Sequence, residues 1–236
     1  MAHYGMVIDL TRCFGCHACE VACKIANNNP AELDYNRVHT VAGTGQTDPV
    51  TYDTASGTYP NCSLAFLPMQ CQHCENAPCV EACPTGATQK DPETGVVWVD
   101  EQQCIGCEAC MTACPYNVRQ FNWQKPEPLP GVDGPYNYGY PLEYRQDGRL
   151  VYAPVRPEGV VEKCTFCAQY TSQGLEPACC TACPANARIF GDADDPDSAF
   201  SRYVADKQTY VLGEEYGTRP KVVYIPSQRE AEGGDR

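Results

Sequence analysis

The sequence has no long apolar run and comparatively few basic residues. None of its apolar segments approaches the roughly 20 residues that a helix needs to cross a bilayer, so the sequence predicts no direct membrane span. Lysine and arginine number 17 against 30 aspartates and glutamates, which gives a formal net charge of −13. Recognition of nucleic acid and of anionic lipid relies on basic patches. The charge therefore argues against both of these partners.

Histidine is also scarce, and no arrangement of residues resembles a substrate site. The four histidines are scattered at His3, His17, His39 and His73, and each is better interpreted as a loop or packing residue than as a ligand. His17 and His73 are the two that lie inside cysteine-rich loops. The segment Gly43–Gly45 is a weak candidate for a nucleotide-binding loop, because a third glycine and a following helix are missing. A self-contained enzyme thus has little support.

Cysteine, in contrast, is abundant. Of the 18 cysteines, sixteen fall into four compact quartets. Quartets built on C-x2-C spacing bind metal far more often than they form disulfides. The quartets are Cys13, Cys16, Cys19 and Cys23; Cys71, Cys74, Cys79 and Cys83; Cys104, Cys107, Cys110 and Cys114; and Cys164, Cys167, Cys179 and Cys183.

The third quartet, CIGCEACMTACP at 104–115, has the spacing C-x2-C-x2-C-x3-C-P. This is the ligand run of bacterial two-cluster ferredoxins, in which the first three cysteines bind one iron–sulfur cluster and the fourth binds another. A second run must supply the missing ligand. The quartet at 71–83 precedes it, separated by a turn at Asp91–Gly95 and a strand at Val96–Val99, which is the internal repeat of such a ferredoxin.

If the two central quartets complete each other, the two outer quartets do the same. This crossover pairing predicts four ligand sets for [4Fe-4S] clusters. Set A is Cys13, Cys16, Cys19 and Cys183; set B is Cys164, Cys167, Cys179 and Cys23; set C is Cys71, Cys74, Cys79 and Cys114; set D is Cys104, Cys107, Cys110 and Cys83.

Two cysteines remain outside the sets. Either Cys179 or its neighbour Cys180 could be the third cysteine of the fourth quartet. Only Cys179 has the C-x3-C spacing to Cys183 that closes the other quartets. Cys180 and the isolated Cys62 are interpreted as non-ligands, most simply as small buried side chains.

The predicted fold is α+β, with two ferredoxin-like units related by pseudo-symmetry. The outer unit comprises residues 1–30 plus 161–192, with a buried strand at Tyr4–Leu10, and the central unit comprises 70–122. A β-rich insertion at 31–69 separates them, and its β-prone pieces at Val38–Val41, Val50–Tyr52 and Leu64–Leu67 predict an inserted β-hairpin or small sheet. An irregular Pro/Gly/Tyr-rich insertion spans 123–160. Residues 193–236 form a C-terminal extension with a helix at Ala199–Asp206, a closing strand in TRPKVVYIP and a polar tail.

The four quartets in this order, with MVIDLTRCFGCHACEVACK, CQHCENAPCVEACPTGA, CIGCEACMTACPYNVRQFN and ACCTACPANARIFGDADDPDS, resemble the iron–sulfur subunit of molybdopterin oxidoreductases related to dimethyl sulfoxide reductase. The pattern is most similar to subunits of polysulfide, tetrathionate and arsenate respiratory reductases. Relatives in nitrate reductase replace the second cysteine of the third quartet by tryptophan and hold a [3Fe-4S] centre. Since that position is Cys107 here, the resemblance implies four [4Fe-4S] clusters.

The resemblance also implies a role in anaerobic respiration. We expect a non-catalytic electron-transfer subunit that relays single electrons between a quinol-side or soluble donor and a catalytic subunit carrying bis-molybdopterin guanine dinucleotide. A quinol-handling membrane anchor is a further partner in many relatives. The alternatives are a free polyferredoxin, and the electron-transfer subunit of a tungsten aldehyde oxidoreductase or a hydrogenase.

The N-terminal residues MAHYGMVIDLTRC contain neither an apolar signal core nor a twin-arginine pair. We therefore expect a soluble peripheral subunit that is assembled in the cytoplasm. Relatives cross the membrane with the twin-arginine signal of the catalytic partner, and the sequence is equally compatible with that route and with staying inside.

Overall fold

The computed structural model of the chain describes residues 2–30, 32–41, 58–60, 62, 64–123, 141–144, 150–152 and 156–227. Short helices and strands are interspersed along the chain, so the fold is mixed α and β. The strands are β1 Tyr4–Asp9, β2 Asn36–Val41, β3 Ala65–Gln70, β4 Thr88–Lys90, β5 Val97–Val99, β6 Gln120–Phe121, β7 Pro141–Tyr144, β8 Leu150–Tyr152, β9 Val161–Glu162, β10 Arg188–Asp192 and β11 Val222–Ile225. The helices are α1 Ala18–Asn27, α2 Pro78–Glu81, α3 Ala109–Thr112, α4 Ala168–Thr171, α5 Ala178–Thr181 and α6 Ala199–Val204.

The largest sheet has three strands in the order β10–β1–β11. β1 pairs antiparallel with β10, so that Met6 lies opposite Phe190, and parallel with β11, so that Met6 lies opposite Val222. Met6, Val7 and Ile8 are fully buried. The apolar run predicted to be a buried strand is confirmed as one, and it is covered on both edges by later parts of the chain.

Helix α1 follows Cys13 and Cys16, the first two cysteines of the chain. Asn28 caps its C-terminus, takes a left-handed conformation (φ 53°) and donates its backbone N–H to the carbonyls of Lys24 and Ile25. Such a left-handed residue closes the last turn of a helix. α1 carries Cys19 and Cys23 and packs against α5, which carries Cys179. Cysteines from the two ends of the chain are thereby brought together.

The insertion after α1 contains an antiparallel pair of strands, as predicted. β2 and β3 run in register from Asn36 opposite Gln70 to Val41 opposite Ala65. The predicted strand at Val50–Tyr52 and the candidate loop Gly43–Gly45 lie outside the described residues.

The central region repeats a short helix followed by a short strand. β4 and β5 form a hairpin whose turn ends at Gly95, with a φ of 70°. The turn at Asp91–Gly95 is confirmed, and the strand begins at Val97, one residue later than predicted. α2 and α3 pack against each other.

The segment 123–160 differs from the irregular structure expected of it. Its described part contains β7 and β8, which pair antiparallel with a register irregularity between Pro141 and Glu143. At its far end β9 pairs with β6. Proline and glycine interrupt the segment so often that the sequence shows no run of alternating residues long enough to predict strands.

The C-terminal extension packs back on the main sheet. α6 begins at Ser198, whose hydroxyl accepts the backbone N–H of Ser201 at 3.0 Å, and it ends at Val204, two residues before the predicted end. β11 confirms the closing strand, and the tail from residue 228 lies outside the described residues. In the described part of the chain no helix is both long enough and apolar enough to cross a membrane.

Candidate iron–sulfur centres

All eighteen cysteines lie in described residues, and all are free thiols. Many of them occupy the hydrophobic core, where they pack among the aliphatic and aromatic side chains of the sheet and the helices. A thiol must lose its proton to bind a metal, so burial by itself opposes ligation. The arrangement around each group of sulfurs therefore decides what the core can hold.

The four cysteines of set A line one cavity. Cys13, Cys16 and Cys19 come from the first loop and the start of α1, and Cys183 comes from the end of α5. Arg188 lines the same cavity. The backbone N–H of Ala187 donates to the Cys183 sulfur at 3.2 Å.

The four cysteines of set C line a second cavity. Cys71 and Cys74 lie in the loop after β3, Cys79 lies in α2, and Cys114 reaches the cavity from beyond the end of α3. Val97 and Arg119 complete part of the wall. In both cavities, three sulfurs come from one quartet and the fourth comes from another.

Set B is entirely buried. Burial, and after it the neighbouring thiols of Cys164, Cys167 and Cys179, raises the pKa of Cys23 well above its usual value. The side-chain amide of Asn27 donates to the sulfurs of Cys23 at 3.5 Å and of Cys167 at 4.0 Å. The four sulfurs of the set are therefore close neighbours.

Two cysteines of set D lie on or beside helices that pack against each other. Cys110 lies on α3, which packs against α2, and Cys83 follows α2 directly. The backbone N–H of Thr88 donates to the Cys83 sulfur at 3.4 Å.

The loops that carry the first sulfurs share one backbone feature. In each loop the residue before the second cysteine has a positive φ: Gly15 (71°), His73 (44°), Gly106 (67°) and Phe166 (53°). A left-handed residue at this point turns the chain sharply. The equivalent turn in all four loops curls each loop so that its sulfurs can converge.

These donor sets suit a polynuclear cluster. No three His, Cys, Asp or Glu side chains of the described residues converge as the ligands of a single metal ion would. Four thiols spaced around a cavity, each able to bind a different iron, are the donor set of a [4Fe-4S] cluster. Backbone N–H groups aimed at sulfur, as at Cys83 and Cys183, are the hydrogen bonds that such clusters receive.

Cys179 and Cys180 are adjacent buried residues of α5. The Cys180 thiol and the nearby Arg188 guanidinium lower the pKa of Cys179, whereas Cys179 and burial raise the pKa of Cys180. Arg188 donates to the Cys179 sulfur at 3.8 Å, and a cationic donor at a sulfur suits the thiolate form that a ligand must have. Cys62 is exposed, so the expectation that it is buried is wrong.

Three of the four histidines have surface or edge positions. His3 and His17 form ion pairs with Asp194 and Glu20, and His39 lies on β2. His73 is different because it is fully buried. Its Nδ1 accepts the backbone N–H of Val97 at 3.1 Å, its ring stacks on Phe166 with 3.8 Å between centroids, and Nε2 has no hydrogen-bond partner among the described residues.

Sequence reasoning missed three buried cations near the sulfurs, namely Arg119, Lys163 and Arg188. Arg119 and Arg188 each lie five residues after a closing cysteine, in CPYNVR and CPANAR. That repeat is visible in the sequence. A basic residue at such a spacing, however, is ordinarily exposed, so only the structure shows the burial.

Comparison with known proteins decides the family. The 4Fe-4S dicluster domain matches residues 62–127 and 151–193. The chain is 46% identical to a candidate dimethyl sulfoxide reductase iron–sulfur subunit of Halobacterium salinarum, over 95% of this chain and 79% of the relative. It is 38% identical to the arsenate respiratory reductase iron–sulfur subunit of a Shewanella species, over 94% and 96%. A subunit of the selenate reductase of Mesobacillus selenatarsenatis is 37% identical, over 93% and 70%.

The chain belongs to the iron–sulfur subunits of the dimethyl sulfoxide reductase family. The resemblance inferred from the cysteine pattern is confirmed. As an iron–sulfur subunit of this family, the protein is a non-catalytic electron-transfer component of an oxidoreductase and carries [4Fe-4S] clusters. The matched domain covers the second, third and fourth quartets, while the full-length relatives extend the similarity over the first.

Proposed function

We propose that the protein holds four [4Fe-4S] clusters, in sets A, B, C and D, and that electrons pass from one cluster to the next. We call this row of clusters a wire. The observation that carries the proposal is the pair of cavities that are each lined by four cysteines from two different quartets. When bound, each cluster accepts and releases one electron. The cysteines hold the clusters, and the surrounding helices and strands fix their spacing and exclude water. No side chain of the chain performs bond chemistry.

In this proposal the outer unit, residues 1–30 plus 161–192, holds sets A and B, and the central unit, 70–122, holds sets C and D. The equivalent turns at Gly15, Gly106 and Phe166 support a pseudo-symmetric relation between the units.

The four sets form a line in the order A, B, C, D. Arg188 lines the set A cavity and donates to Cys179 of set B at 3.8 Å, which makes these two sets neighbours. Cys71 of set C lies near enough to Cys164 of set B to add to the rise in its pKa, after burial and Cys167. The His73–Phe166 stack joins the loops of the same two sets.

The two ends of this line reach the surface. Cys16 of set A and Cys107 of set D are exposed, whereas all four cysteines of set B are buried. Beside these ends, Phe14 is 58% exposed and Ile105 is 67% exposed. Electrons therefore enter at one of these ends and leave at the other, because a cluster must come close to its redox partner to exchange an electron with it.

The partner at one end is a molybdopterin catalytic subunit. The names of the relatives, which are subunits of dimethyl sulfoxide, arsenate and selenate reductases, support this assignment. A quinol-handling membrane subunit or a soluble donor serves the other end. The protein is then a peripheral subunit that is loaded with clusters in the cytoplasm and crosses the membrane, if it does so, with its catalytic partner.

Purification of the tagged protein from its native host under anaerobic conditions tests the function. We expect a large molybdenum-containing subunit to co-purify and its substrate to oxidise the reduced clusters. A stable monomer with no large partner would instead indicate a free polyferredoxin. Tungsten or nickel in the co-purifying subunit would identify an aldehyde oxidoreductase or a hydrogenase.

A further inference from the structure

Three cationic side chains are buried beside the cysteine sets without an acidic partner. Arg119 and Lys163 are 2% exposed and Arg188 is 4% exposed. Among the described residues, no aspartate or glutamate forms an ion pair with any of them. A buried charge without compensation is strongly destabilising. The negative charge of the bound clusters is the compensation that the site offers.

Arg188 lies between sets A and B. Its guanidinium lines the set A cavity and donates to the Cys179 sulfur of set B. The other hydrogen-bond partners of its guanidinium are the neutral side chains of Gln70, at 3.0 Å, and Asn36, at 2.5 Å, and the sulfur of Met6. These contacts hold the charge in place without neutralising it.

Arg119 has the corresponding position between sets C and D. It lines the set C cavity and donates to the Cys79 sulfur at 3.1 Å and to the Thr88 hydroxyl at 3.3 Å. Thr88 in turn donates its backbone N–H to the sulfur of Cys83, a member of set D, at 3.4 Å. The guanidinium thus contacts a sulfur of set C directly and reaches set D through Thr88.

Lys163 lies between sets B and C. Its ammonium group donates to the backbone carbonyl of Cys164 of set B at 2.8 Å and to the carbonyl of Val97. Val97 lines the set C cavity, and its N–H is bonded to His73 in the set C loop. Each of the three junctions in the line A, B, C, D therefore contains one buried cation.

We propose that Arg188, Lys163 and Arg119 are the fixed positive charges of the wire, each raising the reduction potentials of the two clusters between which it lies. One-electron reduction makes a [4Fe-4S] cluster with four thiolates more negative by one charge, so a buried cation beside it stabilises the reduced form. The cations are positioning and tuning residues, and they are not ligands.

The test is an EPR-monitored redox titration of the isolated iron-loaded subunit and of Arg119→Met, Arg188→Met and Lys163→Met. We expect each arginine variant to lower the reduction equilibrium constant of two clusters at least tenfold, which is 59 mV for one electron. The two pairs should not overlap. Lys163→Met should lower the reduction equilibrium constant of one cluster from each pair. This overlap between the three variants can be recognised without knowing beforehand which EPR signal belongs to which cluster.

Arg12→Gln is the matched control. Arg12 precedes Cys13 in the sequence but is exposed, and it donates to the carbonyl of Asn186 at 3.0 Å. Because water and salt screen an exposed charge, the reduction equilibrium constant of each of the four clusters should stay within tenfold of its wild-type value.

The proposal would be overturned if the reduction equilibrium constants of the iron-loaded variants change by less than tenfold. It would also be overturned if they change equally in all four clusters. If a methionine variant does not load iron, the corresponding lysine variant, Arg119→Lys or Arg188→Lys, decides. It keeps the positive charge, so it should load iron and keep the reduction potentials. Failure of the lysine variant to load iron would overturn the proposal, because the site would then require the shape of the guanidinium and not its charge. The proposal rests on the four-cluster wire, but an intact iron content with unshifted potentials would refute only the cations' role.

Discussion

The buried ion pair of Arg156 and Glu162 offers a sharp test of what holds the insertions to the cluster-binding core. Arg156 is 2% exposed and Glu162 is 3% exposed. One carboxylate oxygen of Glu162 accepts from Arg156 Nε at 2.7 Å and from the Tyr35 hydroxyl at 2.7 Å, and it lies 2.6 Å from Arg156 Nη2. Arg156 also donates to the backbone carbonyl of Asn28, which follows α1.

Burial raises the pKa of Glu162, and Arg156 opposes that rise. Forming the pair contributes little net stability, because removing two charges from water costs about as much as their attraction returns. Breaking it is different, because Glu162→Gln leaves the buried Arg156 guanidinium with no carboxylate of the described residues within ion-pair distance. Such a loss destabilises a protein by about 3–5 kcal/mol. At roughly 2–4 °C per kcal/mol for a chain of this size, the melting temperature should fall by about 6–20 °C.

The assay is anaerobic thermal unfolding at one scan rate, followed by the charge-transfer absorbance of the clusters. The double variant Arg156→Met with Glu162→Gln removes the orphaned charge, and it should recover at least half of the loss. Asp206→Asn is the control, since it breaks an exposed ion pair with Lys207, and exposed pairs contribute little to stability because water and salt screen them. If Glu162→Gln is no more damaging than Asp206→Asn, the reasoning is refuted.

Three further predictions concern the cluster loops. Iron analysis should give about sixteen irons per chain, four for each set; twelve irons or a [3Fe-4S] EPR signal in undamaged protein would contradict four cubanes. Cys180→Ala and Cys62→Ala should keep all the iron, whereas Cys179→Ala should lose part of it, and the opposite result would reverse the ligand assignment. Gly106→Ala should lower the iron content of set D, because the new Cβ would lie 2.4 Å from the Gly159 carbonyl oxygen; Gly86→Ala, with a similar φ but open space around it, should not.

The sequence predicted those parts of the structure that depend on the spacing of residues along the chain. The runs of cysteine gave the four quartets directly, and the crossover logic predicted that Cys114 would join Cys71, Cys74 and Cys79, which now line one cavity. Alternating and apolar runs predicted β1 and β11 for the same reason, since period and burial are local properties of the chain.

Other features depend on distant parts of the chain and were not predictable in this way. The hairpin of β7 and β8 lies in a segment rich in proline and glycine, where no alternation indicates a strand. The burial of Lys163 follows from its meeting Val97, which is 66 residues away along the chain. The His73–Phe166 stack likewise joins two loops whose proximity neither sequence segment encodes.

The position of β1 in the middle of its sheet has a consequence for biosynthesis. A ribosome makes Tyr4–Asp9 long before the two strands that flank it, Arg188–Asp192 and Val222–Ile225. The first strand therefore has no partner in this sheet until those residues have been made, while the hairpin of β4 and β5 needs only its own neighbourhood. Because contacts between distant residues form slowly, we expect this sheet to close after the local hairpins.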